Sequence, residues 1–454
     1  MLAGAVVLML AGCSAGDSVS SAVPATAFKP GSTRGDDPYF PAHGNGGYDV
    51  RDYRLKLAFN PATGRLDGTA TITATATQDL SRLSLDLTGL TVSSITIDGQ
   101  PAPSTTSGGK VTMTLPTGIR HGRSFTASLR YSGRPAATHE GGWRTSKDFS
   151  YVLSAPTSAA SWFPANDKPS DKASFAVEVT VPKGLTVISN GSLRGRADQH
   201  GRTTWRWHEP TPMAPHLAYV AIGKYRLATT THRGKPVITA VPPSMPAKVL
   251  ARTGEIADWF EGLFGAYPFD SYGGVVVDDP QFSTTAATQT RPLYGAQTLT
   301  GEPSNTTAVV ARAVASQWFG ASVTPQRWPD IWLSEGFATY AQWLWTEHDG
   351  GDSVESVVQQ RYSTYPWQVL RATDPGAGHL LSSGPYDRGA MTLHALRRLI
   401  GDEVFFQLLR SWAAEHAHGT ATTAQFVRAA EKASGQRLND FFDVWLSGAY
   451  RPTY

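Results

Sequence analysis

Ala308-Val309-Val310-Ala311-Arg312-Ala313-Val314-Ala315-Ser316-Gln317-Trp318-Phe319-Gly320, followed by Trp328-Pro329-Asp330-Ile331-Trp332-Leu333-Ser334-Glu335-Gly336-Phe337-Ala338-Thr339-Tyr340, is the stretch on which the fold turns. It reads as two helices joined by a short link. On the first, which is expected to start near Thr307 behind a cap at Asn305 or Thr306 and to stop at Gly320, Arg312 and Ser316 stand four residues apart and so leave the same face. Glu335 sits on the second, with eighteen residues between it and Ser316. The stretch is organised to bring side chains from two helices to one point.

Working outward, the carboxyl half keeps helical periodicity: Ile256, Trp259, Phe260, Leu263 and Phe264 before Gly265, then Met391 to Ile400, Val404 to Ala414 and Ala424 to Ala433, with Gly435 as a stop. The amino half alternates with period two. Runs at 48–59, 66–77, 83–87, 94–97, 111–115, 124–131 and 175–181, separated by Gly, Pro and Asp turns, predict an antiparallel β-domain with one buried face. Asn190-Gly191 predicts a type I′ hairpin, and Pro242-Pro243 a domain boundary. The expected division is 1–13 a signal segment, 14–37 a flexible tether, 38–242 the β-domain and 243–454 the helical domain, an α+β multidomain chain.

The first thirteen residues are too short an apolar run to span a bilayer and read as a secretory signal. Leu10-Ala11-Gly12-Cys13 resembles a bacterial lipobox, and Cys13 is the only cysteine of the chain, so it is the expected lipidation site and no intrachain disulfide can form. The implied location is the outer face of the bacterial cell membrane, through an N-terminal lipid anchor. Forty basic against thirty-seven acidic residues, without a basic block, give no reason to expect nucleic acid as a partner.

A helical zinc site needs two histidines four residues apart with a glutamate beside the first. Here Arg312, Ala313 and Ser316 stand in that pattern. The surrounding residues resemble the aminopeptidase N-type gluzincins, a zinc metallopeptidase family that includes leukotriene hydrolases. The resemblance is carried by Gln317-Trp318-Phe319-Gly320, Val323-Thr324-Pro325, Trp332-Leu333 and Glu335-Gly336-Phe337-Ala338-Thr339-Tyr340. Trp162-Phe163-Pro164 with Asn166-Asp167, Tyr267-Pro268-Phe269 and Tyr386-Asp387-Arg388-Gly389-Ala390-Met391 extend it over about Asp37 to Thr453.

The resemblance implies a thermolysin-like, mainly helical domain after the β-domain, with Glu335 as the carboxylate zinc ligand and Tyr386 as an oxyanion donor. It also places the two histidine ligands at Arg312 and Ser316, the general base at Ala313 and the amino-terminus anchor at Ala287, beside Arg291 as a cleft-lining residue. Guanidinium stays protonated, alanine has no donor atom and serine is a poor zinc ligand. Ser154-Ala155-Pro156 offers no second acidic anchor, and Glu415, His416 and His418 read as a solvated helix end. Asp278 and Asp279, adjacent on a strand end, should point opposite ways.

Glu335 has two readings, ligand or ion-pair partner of Arg312, and Tyr386 is either a packed tyrosine or an oxyanion donor. Ser316 is a weak candidate nucleophile, and Trp318, Trp328, Trp332, Trp343 and Trp345 belong to the core or to a cleft. The sequence therefore predicts a peptidase homologue that binds peptide or protein segments without cofactor. The alternative is a zinc aminopeptidase with unconventional ligands, and in either case the short chain predicts an open cleft.

Overall fold

The computed structural model describes residue 1, residues 28–138 and residues 141–454. The signal segment with Cys13 and most of the expected tether lie outside the described residues. The tether's described end is built into the fold. Lys29–Pro30 pairs with the strand Leu80–Asp86, and buried Asp37 accepts from the backbone N–H of Tyr39, Phe40 and Trp328.

The alternating runs form an eight-stranded sheet in the order Ser192–Gln199, Arg202–Met213, Ala173–Pro182, Tyr48–Asn60, Arg65–Ala76, Ser124–Gly133, Leu90–Ile97 and Gln100–Pro101. Every neighbouring pair is antiparallel except Ala173–Pro182 with Tyr48–Asn60, which run parallel with Val177 opposite Leu55. Along Arg65–Ala76, Leu66, Ala70, Ile72, Ala74 and Ala76 are buried, the one-faced burial that period two demands. Two four-stranded sheets complete this part.

Asn190-Gly191 does not close a hairpin. Thr186–Ser189 pairs with Val220–Gly223, whereas Ser192–Gln199 pairs with Arg202–Met213, so the chain changes sheets at this point. Gly191 has φ +72°, but the Asn190 side chain is spent elsewhere: its Nδ2 donates to Leu217 O and Gln289 O, and its Oδ1 accepts from Tyr219 N.

The boundary expected at Pro242-Pro243 also moves. Arg226–His232 and Lys235–Val241 belong to a five-stranded sheet with Tyr272–Val277, Leu293–Gly295 and the edge strand Thr285–Ala286. The change of sheet partner thus lies between Gly223 and Arg226.

Eight α-helices follow, α1 Thr253–Phe264, α2 Pro303–Ala315, α3 Trp332–His348, α4 Val354–Thr364, α5 Gly389–Ile400, α6 Asp402–Glu415, α7 Thr423–Ser434 and α8 Asn439–Phe442. Two have ends set by local chemistry the sequence displays: Gly265 ends α1, and α7 has a capping box between Thr422 and Gln425 with Gly435 at φ +69° as its stop. α2 starts earlier than expected because Pro303 occupies its first turn, where a missing N–H costs nothing. It also stops earlier: Ser316 Oγ donates back to Arg312 O, and Ala321 N and Ser322 N reach the carbonyls of Ser316 and Gln317 in a wide turn. Trp318, Trp328, Trp332, Trp343 and Trp345 are all buried, with Trp328 in a small cluster with Ile331 and Leu380.

Candidate functional site

α2 and α3 place Arg312 and Glu335 in direct contact. The Nη2 of Arg312 donates to Oε2 of Glu335, and its Nε lies 3.5 Å from Thr339 Oγ1. The side chains keep 20% and 14% of their exposure, so the pair is largely shielded from solvent without being sealed in the core. The Arg312 guanidinium carbon stands 4.6 Å from the centroid of the Tyr386 ring, a cation–π contact that closes the third side. Burial opposes the Arg312 charge, but Glu335 and then Tyr386 outweigh it and leave its pKa above the ordinary value. Burial, followed by Glu335, also raises the Tyr386 phenol above its ordinary value.

Two features bring Tyr386 to this point. A Cβ on Gly336 would lie 2.9 Å from Gly389 Cα and 3.1 Å from Pro385 O, so α3 approaches the π-helical turn Gly384–Arg388 as closely as a glycine permits. The same turn is fixed from behind by Arg388, which is fully buried and donates to five carbonyls: Trp445, Trp367, Leu370, Val444 and Gly448. Asp387 is held by Arg361 at 2.8 Å.

Arg312 also lines a cavity of about 190 Å³, with Ser283, Thr284, Thr285, Thr298, Val309 and Gln342. Thr339 and Gln342 were not singled out from the sequence. They stand four and seven residues after Glu335, a helical-face spacing that carries the signal.

The remaining expected residues separate. Ala313 is buried in the core. Ser316 is buried and its hydroxyl is turned onto α2's own backbone, so it is not presented as a nucleophile. Ala287 is half-buried beyond the edge strand Thr285–Ala286.

Arg291 does not line the cleft. It is fully buried, donates to Ser189 O, Gly191 O and Ser271 Oγ, and stacks 4.9 Å from the Trp207 ring, joining the two halves of the molecule. Ser154 is buried between Ala218 O and Trp162 Nε1. Asp279 turns inward to Tyr151 while Asp278 faces solvent and Ser244, as adjacent strand-end residues should. Among the described residues, no group of three or more His, Cys, Asp and Glu side chains is placed to hold a metal, Glu415, His416 and His418 included.

Residues 50–217 match the Peptidase M1 N-terminal domain, and residues 250–445 the Peptidase family M1 domain. The fold is also that of an M1 zinc metallopeptidase of Deinococcus radiodurans: one solved form aligns with TM-score 0.83 and 30% identity over 92% of this chain and 98% of that one. The chain belongs to the M1 peptidase family. A second Deinococcus structure, bound to the substrate Tyr-Ser-Ala, aligns with TM-score 0.84 and 29% identity over the same shares.

Among curated M1 relatives, the chain is 25% identical over 65% of its length to a tricorn protease-interacting factor F2 of Thermoplasma volcanium and 23% over 80% to a probable aminopeptidase 2 of Sulfurisphaera tokodaii. It is 28% identical over 64% to glutamyl aminopeptidase of Bos taurus. The chain spans half or less of these relatives, 40%, 49% and 33%.

M1 membership corrects one expectation. A chain without cofactor is not what this family implies, since the matched solved structures are zinc metallopeptidases. The chain's own donors at the expected point do not fit zinc: a guanidinium occupies the space between α2 and α3, and the one carboxylate there, Glu335, is already its partner. What the arrangement can do is donate hydrogen bonds to an oxygen-rich ligand, from Arg312, from the Tyr386 hydroxyl and from the threonine hydroxyls.

Proposed function

We propose that this M1 chain binds peptide or protein segments in its cleft without cleaving them, anchored at the bacterial cell envelope. The observation that carries the reading is the guanidinium of Arg312, ion-paired to Glu335 at the point where the two helices converge. Peptide hydrolysis needs an activated water or another nucleophile together with a base. Arg312 is a permanent cation, Ala313 has no functional group, and the Ser316 hydroxyl is bonded into its helix. Binding needs less, and the parts for it are present: a free edge strand at Thr285–Ala286, a cavity beside it, and hydrogen-bond donors at its floor. The Deinococcus relative's tripeptide ligand supports peptide as the ligand class. The envelope location rests on Leu10-Ala11-Gly12-Cys13.

A second reading, a zinc aminopeptidase with unconventional ligands, is favoured by the M1 relatives. Aminoacyl chromogenic substrates separate the two. The binding reading expects no turnover above the buffer rate with or without added zinc. Zinc-dependent turnover abolished in Glu335→Ala would establish the second.

A further inference from the structure

We infer that the cavity beside Arg312 takes a carboxylate of the bound peptide. The inference rests on the peptide-binding reading above and adds the chemical group that the site selects. Three observations carry it.

First, Arg312 is the sole charged residue among those lining the cavity; its companions Ser283, Thr284, Thr285, Thr298 and Gln342 are neutral and mostly hydroxyl-bearing. Glu335 does not line it. The carboxylate engages Nη2 of the guanidinium from the α3 side, Nε is directed at Thr339, and a further donor is bonded to the Tyr386 hydroxyl. A guanidinium carries five N–H donors in a planar fork, so donors remain for a second carboxylate, and the fork suits that shape. An ammonium entering the same space would meet a fixed cation with no carboxylate facing it.

Second, the cavity measures about 190 Å³, below the range of roughly 300–1,000 Å³ in which whole small ligands are held. It fits one end group or one side chain, not a folded ligand. Third, Thr285 lines the cavity and belongs to the strand Thr285–Ala286, which pairs on one side with Leu293–Gly295 and ends the sheet on the other. An extended peptide can add to that edge through backbone hydrogen bonds, with its terminal group beside Arg312.

Two sources supply such a carboxylate, a peptide carboxyl terminus or an Asp or Glu side chain. Calorimetric titration of the full chain with Tyr-Ser-Ala, its C-terminal amide, its N-acetyl form and an amidated, acetylated tripeptide carrying a central Glu tells them apart. Charge-assisted pairing predicts that amidation weakens binding by about tenfold or more while N-acetylation leaves it within about twofold. Binding of the Glu peptide at the strength of the free acid assigns the side chain as an accepted source.

The double variant Arg312→Gln/Glu335→Gln removes both charges without stranding either, and it should bind acid and amide alike. Equal affinity of the wild type for acid and amide, with loss on N-acetylation, overturns the carboxylate inference and leaves peptide binding standing. Binding of none of the four peptides overturns both.

Discussion

Arg312 and Glu335 are a half-buried pair, so most of what their contact contributes is visible only when one partner is lost. Removing one charge from a well-buried pair costs about 3–5 kcal/mol, and exposures of 20% and 14% put this pair below that range, at about 2–3 kcal/mol. Urea denaturation should show that loss for Glu335→Ala, whereas Arg312→Met/Glu335→Leu should recover most of it, because an apolar replacement strands no charge. Full additivity of the two single changes would mean that the contact carries no coupling.

A second residue-scale prediction concerns Glu209, which is buried and whose Oε2 has no hydrogen-bond partner. Burial pushes its pKa up to about 7, against the opposing Thr211 N–H and Arg291. A carboxyl raised by folding contributes stability that is fully present below its unfolded pKa and is lost as pH rises through about 7. Glu209→Gln should therefore flatten the pH profile between about 4.5 and 7 and gain on the order of 3 kcal/mol over the wild type at pH 8. An unchanged profile would show that Glu209 does not titrate in that window.

The meeting of Arg312 with Glu335 was legible because the zinc-peptidase pattern assigns both positions to one point, although the sequence left Glu335 with two readings, ligand or ion-pair partner. Arg291 was not: a sequence shows that an arginine stands near a site, but not that its donors are consumed by Ser189, Gly191 and Ser271 on the far side.

At the scale of elements, the site depends on how closely α3 approaches the turn before α5. Gly336 sets that distance, because any Cβ there would press on the Gly389 backbone. Gly336→Ala should cost about 1–3 kcal/mol through overpacking. It should also displace Tyr386 from the Arg312 face, read as a change in tyrosine fluorescence or in ligand affinity larger than the stability loss explains. Full stability with unchanged affinity would refute that role.

Most strands and the later helices were legible because burial imposes periods of 2 and 3.6, and because Gly265, Thr422 and Gly435 carry local end signals. What was not legible depended on partners distant in sequence. Asn190-Gly191 has hairpin chemistry, yet its two flanking strands find different sheets. The Pro242-Pro243 break lies inside a unit that begins with Arg226–His232 because Lys235–Val241 pairs in parallel with Tyr272–Val277.

In the whole molecule, the β-domain and the helical part are joined by the side chains of Arg291 and Lys172 acting on backbone carbonyls. Arg291 ties to Ser189 and Gly191, and Lys172 donates to Ala321, Ser322 and Gly419 at 2.8–3.2 Å. Replacing Arg291 by Met removes its bonds to Ser189 O and Gly191 O and leaves them only the long contacts from Tyr219 and Ser271, and calorimetry should show two separable transitions in place of one. A single transition at the wild-type temperature would exclude that joint.

The family itself was legible in the sequence because its motifs surround the site from Trp162 to Met391. Its cofactor was not settled by the same route: the expectation of none followed from three substituted positions, while the relatives are zinc metallopeptidases. Among the described residues no helix is long and apolar enough to cross a membrane.

The most direct test of the account is incubation of the purified full chain with Tyr-Ser-Ala, with and without added zinc, followed by mass analysis of the peptide. The account predicts saturable binding with the tripeptide recovered intact. Zinc-dependent release of the N-terminal tyrosine, lost in Glu335→Ala, would contradict it.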